Sequence, residues 1–287
     1  MRKKRGRKVN SRFRLAAADM DGTLLNQERK ITKRTQEVIK QVIEQGVYFV
    51  PATGRAVNAL PVELRSIKGV RYGIFSNGGT VYDLQEERTV YTNHFDPKRA
   101  LELIRQLRPF DLMISVSQGG QSYGERIPME HLDYYELDEN TREIVRGSRK
   151  IVENIEDHIR ENRDTIEKMT LIFRTMEERA RVWDWLRQFE DIQYSSSLPK
   201  NIEISKRGCN KGTGLLHLAE ILGVEKDEII VFGDADNDRE MFEQAGCSVA
   251  MANGLEEMKA MADYVTSSNR EDGAAKAMEK LILGKAV

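Results

Sequence analysis

An α/β fold, with an open parallel, Rossmann-like sheet and an inserted α/β module, is the class this sequence predicts, on three observations. Two short apolar runs, Leu15–Ala18 and Val47–Val50, flank a stretch of helical periodicity. That is a βαβ unit, whose strands run parallel as neighbours. A continuous apolar run, Ile229–Phe232, has the composition of a strand buried on both faces. Between them, from about Pro97, strict alternation of strand and helix is lost, as in a module of a different order.

The 287 residues, 40% of them hydrophobic, suffice for a full core and a second domain. The domains read as a basic arm over 1–12, a core made of 13–94 and 199–287, and an inserted module over 95–198. The arm carries seven Lys/Arg and no acid. Setting its +7 apart from the net charge of −1 leaves −8 on the body, which argues against a broad nucleic-acid surface. The arm reads as a solvated tail, and no apolar segment follows it as in a secretory signal. Cys209 and Cys247 lie far apart without metal-ligand spacing, and the four histidines do not cluster. A reducing, cytoplasmic setting without structural zinc is expected. No apolar run approaches the roughly 18–20 residues of a membrane span.

In chain order, the first strand ends at Asp19-Met-Asp21-Gly22-Thr23. Residues i and i+2 of a strand point the same way, which directs both carboxylates to one place, and Gly22 permits a sharp turn. Thr32 is the expected N-cap of a helix with Val38, Ile39, Val42 and Ile43 on one face, stopped near Gly46. Val47–Val50 leads to Thr53-Gly54-Arg55. A helix over Val57–Ser66, a third strand over Tyr72–Phe75, a Ser76-Asn77-Gly78-Gly79 turn and a hairpin of Thr80–Tyr82 with Thr89–Tyr91 follow.

The module reads as a helix at Pro97–Leu107, strands near Leu112–Ser117 and Gln121–Gly124, and a polar helical zone from Met129 to Arg163. Then come a strand at Lys168–Phe173, a helix at Glu177–Phe189 with Ala180, Trp183 and Leu186 on one face, and a strand at Ile192–Ser196. Trp183 reads as core rather than as a ligand platform. Alternation returns after Asn201–Ser205: Lys211 opens a helix along Leu215, Leu218, Ala219 and Leu222, stopped by Gly223. The strand Ile229–Phe232 ends in Gly233-Asp234-Ala235-Asp236-Asn237-Asp238. Strands at Cys247–Met251 and Tyr264–Thr266 and a helix over Asp272–Leu283 close the chain.

In an open parallel sheet, ligands sit beyond the carboxyl ends of the strands, where strand order reverses. That edge gathers Asp19, Asp21, Thr53 and Asp234, with Lys211 as the amine. Several carboxylates and one lysine repel one another unless a cation joins them. Oxygen-only ligands select a hard ion, and Mg²⁺ takes one or two carboxylates, waters and a substrate phosphate. Thr53, Lys211 and the backbone N–H groups after Asp19 are donors for a phosphoryl group. The combination suits phosphoryl transfer.

These residues resemble the haloacid dehalogenase (HAD) superfamily of phosphatases, in its Cof-type branch. Four motifs carry the likeness: Asp19-Met-Asp21-Gly-Thr-Leu, Thr53-Gly-Arg, Lys211-Gly, and Gly233-Asp234-x-x-Asn237-Asp238. The resemblance implies that Asp19 is the nucleophile of an aspartyl-phosphate route and Asp21 the general acid and base. It implies Mg²⁺ on the Asp19 carboxylate, the Asp21 backbone carbonyl and Asp234, with Asp238 acting through water or by orienting Lys211. Thr53 and Lys211 would hold the phosphoryl oxygens, with Asn237 and the Gly54 backbone in second place. An acid at position 21 favours hydrolysis, or a mutase-like transfer, over a stable phospho-enzyme. Residues 95–198 correspond to the family's larger α/β cap (type C2B), with Arg126, His131 and Tyr134 as contact candidates or plain solvated side chains. The implied activity is hydrolysis of a small phosphorylated metabolite, a sugar phosphate or cofactor phosphate. A phosphomutase is the nearest alternative, and a nucleic-acid-binding protein acting through its basic arm is the alternative of another class. Asp236 reads as a turn acid. Asn77 reads either as a substrate contact or as an Asn-Gly turn, and Met251–Asn253 is left unassigned.

Overall fold

The computed structural model describes residues 11–285, so the basic arm, but for its last two residues, lies outside the described residues. The strands are β1 (Leu15–Ala18), β2 (Tyr48–Pro51), β3 (Tyr72–Phe75), β4 (Thr80–Asp83), β5 (Arg88–Thr92), β6 (Leu112–Gln118) and β7 (Gln121–Glu125). They continue as β8 (Arg149–Val152), β9 (Ile166–Phe173), β10 (Ile192–Ser195), β11 (Asn201–Lys206), β12 (Ile229–Gly233), β13 (Cys247–Met251) and β14 (Tyr264–Thr266). The chain divides into two compact units. One holds Thr53 and the chain before it, Leu60–Tyr91, and the chain from Asn210 onward; the other holds Gly54–Ala59 and Thr92–Cys209.

In the first unit, five parallel strands run in the order β14-β13-β12-β1-β2. The apolar runs seen in the sequence are wholly buried in β1 and β12, as strands covered on both faces must be. From β1 the chain moves outward to β2 on one side, and from β12 to β13 and β14 on the other. Strand order therefore reverses between β1 and β12. Register aligns their ends: Ala18 lies opposite both Phe232 and Pro51. Asp19, Ala52 and Gly233 thus follow from one level of the sheet.

The first helix, Lys33–Glu44, is capped by Thr32, whose hydroxyl accepts from the Thr35 N–H, and it buries Val38, Ile39, Val42 and Ile43. The helix expected over 57–66 is instead a 3₁₀ turn at Val57–Ala59 and a short helix at Val62–Ser66. Pro61 stands between them, and a proline inside a helix removes a backbone donor and clashes with the preceding turn. β3 forms over the expected residues, Tyr72–Phe75. It pairs antiparallel with β4 in a separate three-stranded sheet, and a single bridge, Ala52 to Ile74, ties it to β2.

The second unit is built on a six-stranded sheet of order β10-β11-β9-β6-β7-β8. One face, with Ile114, Val116, Met169, Leu171, Ile202 and Ile204, forms a core with apolar residues of the helices Pro97–Leu107, Ile155–Asn162 and Met176–Leu186. Three expectations are corrected here. The zone read as helical contains β8, which adds parallel to β7; its Arg-Lys-Ile-Val run is a short, charged edge strand. β11 belongs to this sheet, antiparallel to β9 and β10, so the first unit resumes at Asn210 rather than at 199. On Met176–Leu186, Val182 and Leu186 are buried while Ala180 is exposed. Trp183 packs against this core and edge-on to Tyr194, 4.8 Å between ring centres.

Candidate active site

The first-strand acids occupy different surroundings. Asp19 follows β1 directly, its N–H bonded to the Phe232 carbonyl at 2.9 Å, and its side chain is buried. Asp21, two residues on, is exposed. The chain between them turns under the Met20 carbonyl, which accepts from the N–H groups of Leu24 and Leu25 at 3.1 and 2.9 Å. Gly22 sits at φ +91°, where a Cβ would fall 2.2 Å from Asp234 Oδ2. Glycine is needed here both for its conformation and for the space. The next residue, Thr23, donates its hydroxyl to Asp234 Oδ1 at 2.8 Å.

Lys211 is the centre of the arrangement. Asn210 caps its helix, accepting from the Thr213 N–H, and the Lys211 ammonium, fully buried, donates to Asp19 Oδ1 at 2.5 Å and Asp238 Oδ1 at 2.6 Å. Asp238 Oδ2 accepts from the N–H groups of Asp234 and Ala235 at 3.0 and 3.1 Å. Both oxygens of this buried carboxylate are thereby engaged. Asp238 thus contacts Lys211 directly. Gly233 makes room for it, since a Cβ there would lie 2.6 Å from that of Asp238.

Charge balance at the site is poor without a further cation. Carboxylate oxygens of Asp19, Asp234 and Asp238 lie within 4.8 Å of one another, against one ammonium. Burial pushes the Asp19 carboxyl well above the usual range; Lys211 opposes this, while Asp238, Asp234 and Asp21 reinforce it. Burial and the Asp238 carboxylate raise Asp234 to about 7, partly offset by the Thr23 hydroxyl. For Lys211, burial works against the charge, but Asp19 and Asp238 outweigh it and hold the ammonium above its ordinary range. An all-oxygen cluster whose carboxylates repel one another fits a hard divalent ion such as Mg²⁺. Asp19, Asp234 and Asp238 are the side chains whose oxygens lie close enough together to hold one.

The remaining candidates fall as follows. Thr53 is buried; its N–H donates to Ile74 and its carbonyl accepts from Asn77, at 2.8 and 3.1 Å. Asn237 donates through Nδ2 to Asn77 Oδ1 at 3.3 Å. Gly54 groups with the second unit, where its carbonyl accepts from Lys168 Nζ at 2.7 Å. Asp236 is an exposed turn acid paired with Arg239. In the second unit, Arg126 pairs with Glu153 and Glu130, His131 Nδ1 lies 2.9 Å from the Ile127 carbonyl, and Tyr134 donates to Asp111. These three read as surface side chains with local partners. Two contributors escaped the sequence reading. Thr23 is one, and its hydroxyl one residue after the obligatory glycine was the available signal. Asn253, in the stretch left unassigned, is the other: its Nδ2 donates to the Gly22 carbonyl at 2.9 Å.

Both cysteines are free and buried, and among the described residues no helix is long and apolar enough to cross a membrane.

Residues 16–278 match the family of haloacid dehalogenase-like hydrolases. The chain is 30% identical over 277 residues to the 5-amino-6-(5-phospho-D-ribitylamino)uracil phosphatase YcsE of Bacillus subtilis (strain 168), covering 94% of this chain and 96% of that one. Among solved structures, a haloacid dehalogenase-like hydrolase from B. subtilis superposes with a TM-score of 0.82 at 28% identity, covering 94% of this chain and 100% of that one. TM0651 from Thermotoga maritima superposes at 0.76 and 29%, covering 93% and 97%. The match extends over both units, and the described site groups residues from three of the four motifs around one lysine. The chain belongs to the haloacid dehalogenase (HAD) superfamily, and within it to the Cof-type phosphatases.

Proposed function

We propose that this chain is a Mg²⁺-dependent phosphomonoesterase that hydrolyses a small phosphorylated metabolite through an aspartyl-phosphate on Asp19. The observation that carries the reading is the Lys211 ammonium held between Asp19 and Asp238, where strand order reverses.

In the first step, a carboxylate oxygen of Asp19 attacks phosphorus, a recognised covalent route for carboxylates. The bond to the leaving oxygen breaks, and that oxygen takes a proton from Asp21. In the second step Asp21, now ionised, takes a proton from water, whose oxygen attacks the aspartyl-phosphate; inorganic phosphate leaves and Asp19 is restored. Lys211 fixes one oxygen of Asp19 and, with Thr53 and Asn237, supplies positive and hydrogen-bonding groups to the phosphoryl oxygens. Asp238 orients Lys211. Mg²⁺, held by the carboxylates of Asp19 and Asp234 and the backbone carbonyl of Asp21, would supply charge neutralisation for the phosphate. The different surroundings of Asp19 and Asp21, one buried beside an ammonium and one exposed, support giving them different tasks. The inserted unit is assigned the role of a cap that selects the leaving group, and cysteine usage assigns the protein to a reducing compartment such as the cytoplasm.

The name of the B. subtilis relative YcsE puts a sugar-alcohol phosphate first among candidates, followed by sugar and cofactor phosphates. The deciding experiment is a panel of such esters assayed with Mg²⁺ and with a chelator. Release of inorganic phosphate that requires Mg²⁺ is the expected result. A phosphoryl group that reappears on another hydroxyl, with no free phosphate, would identify a mutase instead.

A further inference from the structure

The turn that follows β3 carries two L-residues in succession in the left-handed region, Ser76 at φ 51° and Asn77 at φ 53°, and both are buried. Gly78 comes next at φ 90°. Single asparagines adopt this conformation in turns, and glycine does so more readily. A turn alone would therefore be served by glycine at 77. The side chain that stands there is engaged: Asn77 Oδ1 accepts from Asn237 Nδ2 at 3.3 Å. Its backbone N–H donates to the Thr53 carbonyl at 3.1 Å. Gly78 lies so close to the cap of the Lys211 helix that a Cβ would fall 1.9 Å from the Asn210 carbonyl oxygen. Three segments that carry candidate phosphate-binding groups, at Thr53, Asn237 and Lys211, meet on this one turn.

We infer that Asn77 is a positioning residue for the phosphoryl-binding groups, holding Asn237 in place through its side-chain carbonyl while its left-handed backbone spaces Thr53 from the start of the Lys211 helix. The inference rests on the phosphatase reading and adds to it a residue outside the four motifs. Backbone strain of this kind is retained where the surrounding structure enforces it, most often at functional sites. Here the enforcing contacts are the hydrogen bond to Thr53 and the close approach of Gly78 to Asn210.

Asn77→Gly separates the two explanations, because it keeps the left-handed backbone and deletes the acceptor. The expected result is a melting temperature at or above that of the wild type. With it, kcat/KM on an ester the wild type turns over falls about tenfold or more, as small displacements of binding groups do. The inhibition constant of inorganic phosphate rises in the same direction. Asn77→Gly combined with Asn237→Ala should then lose no more than Asn237→Ala alone, since the two residues act through one bond. An Asn77→Gly enzyme with wild-type kcat/KM and phosphate inhibition overturns the inference. So does a double variant whose loss is the product of the two single losses. Failure of the phosphatase reading looks different: the wild type itself would release no phosphate from any ester.

Discussion

Lys211 and Asp238 lie 2.6 Å apart with neither side chain reaching solvent. An ion pair enclosed to this degree forfeits its hydration, and removing one partner strands the other. Replacing Lys211 by Met should therefore cost stability on the order of 3–5 kcal/mol, since both Asp19 and Asp238 lose their ammonium. Denaturant unfolding in the absence of metal measures this. A loss below about 1 kcal/mol would show that the two carboxylates simply take up protons instead.

Asp19→Asn removes one member of a crowd of like charges and keeps its shape. Turnover should fall to background while the melting temperature without metal stays at or above the wild-type value. Residual Mg²⁺-dependent hydrolysis well above background would remove Asp19 from the nucleophile's role.

Asp234 offers one oxygen to Thr23 and packs the other against Gly22. Mg²⁺ should raise the melting temperature of the wild type and Asp234→Ala should weaken that rise, because a ligand stabilises the fold that binds it. An unchanged Mg²⁺ titration would count against Asp234 as a metal ligand.

Gly22→Ala tests the packing of that same carboxylate. The added methyl is strained at φ +91° and would overlap Asp234 Oδ2, so the loop must move. Stability should fall by about 1–3 kcal/mol, and activity should fall with it. Normal melting and normal turnover in the Gly22→Ala protein would mean that the loop relaxes at no cost.

A pH-dependent contribution sits in the hairpin away from the site. Asp83 accepts from Arg71 Nε and Nη2 at 3.0 and 2.7 Å and from the N–H groups of Gln85 and Glu86. Burial alone would raise its carboxyl, but the Arg71 guanidinium and these N–H groups outweigh that and lower it. A carboxyl depressed in the folded state stabilises above its unfolded value and loses that contribution as pH falls through the folded one. Asp83→Asn should thus be less stable than the wild type near pH 6, by about 1 kcal/mol given the partial exposure of Arg71. The gap should close below about pH 4, as read by melting curves across that range. A gap that stays constant with pH would assign the effect to packing rather than charge.

The parallel core was legible because apolar runs and helical periodicity report burial directly. Leu15–Ala18 and Ile229–Phe232 could hardly be anything but interior strands. β8 was hidden because Arg149-Lys150-Ile151-Val152 is only four residues long, shows no polar–apolar alternation and directly follows a polar helix. The separate sheet of β3 was hidden because it depends on which neighbour the chain folds against. At the site, strand order sufficed to gather Asp19, Asp234 and Lys211. The bonds from Thr23 to Asp234 and from Asn77 to Asn237 were not legible, since they join side chains 211 and 160 residues apart with no periodicity to betray them.

The register of β1 against β12 has a consequence for how the molecule is made. Asp19 and Lys211 are 192 residues apart, and the strand that flanks β1 on that side is synthesised later still. Contacts so distant in sequence close late, after loop closure has been paid for by nearer ones. The second unit, apart from its short segment Gly54–Ala59, is one continuous stretch, Thr92–Cys209, and leaves the ribosome whole before Lys211 does. In vectorial synthesis, with domains folding as units, the candidate site is thus completed only after the second unit has emerged. Until then Asp19 waits at an open strand edge without its counter-charge, and the nascent chain carries no assembled active site.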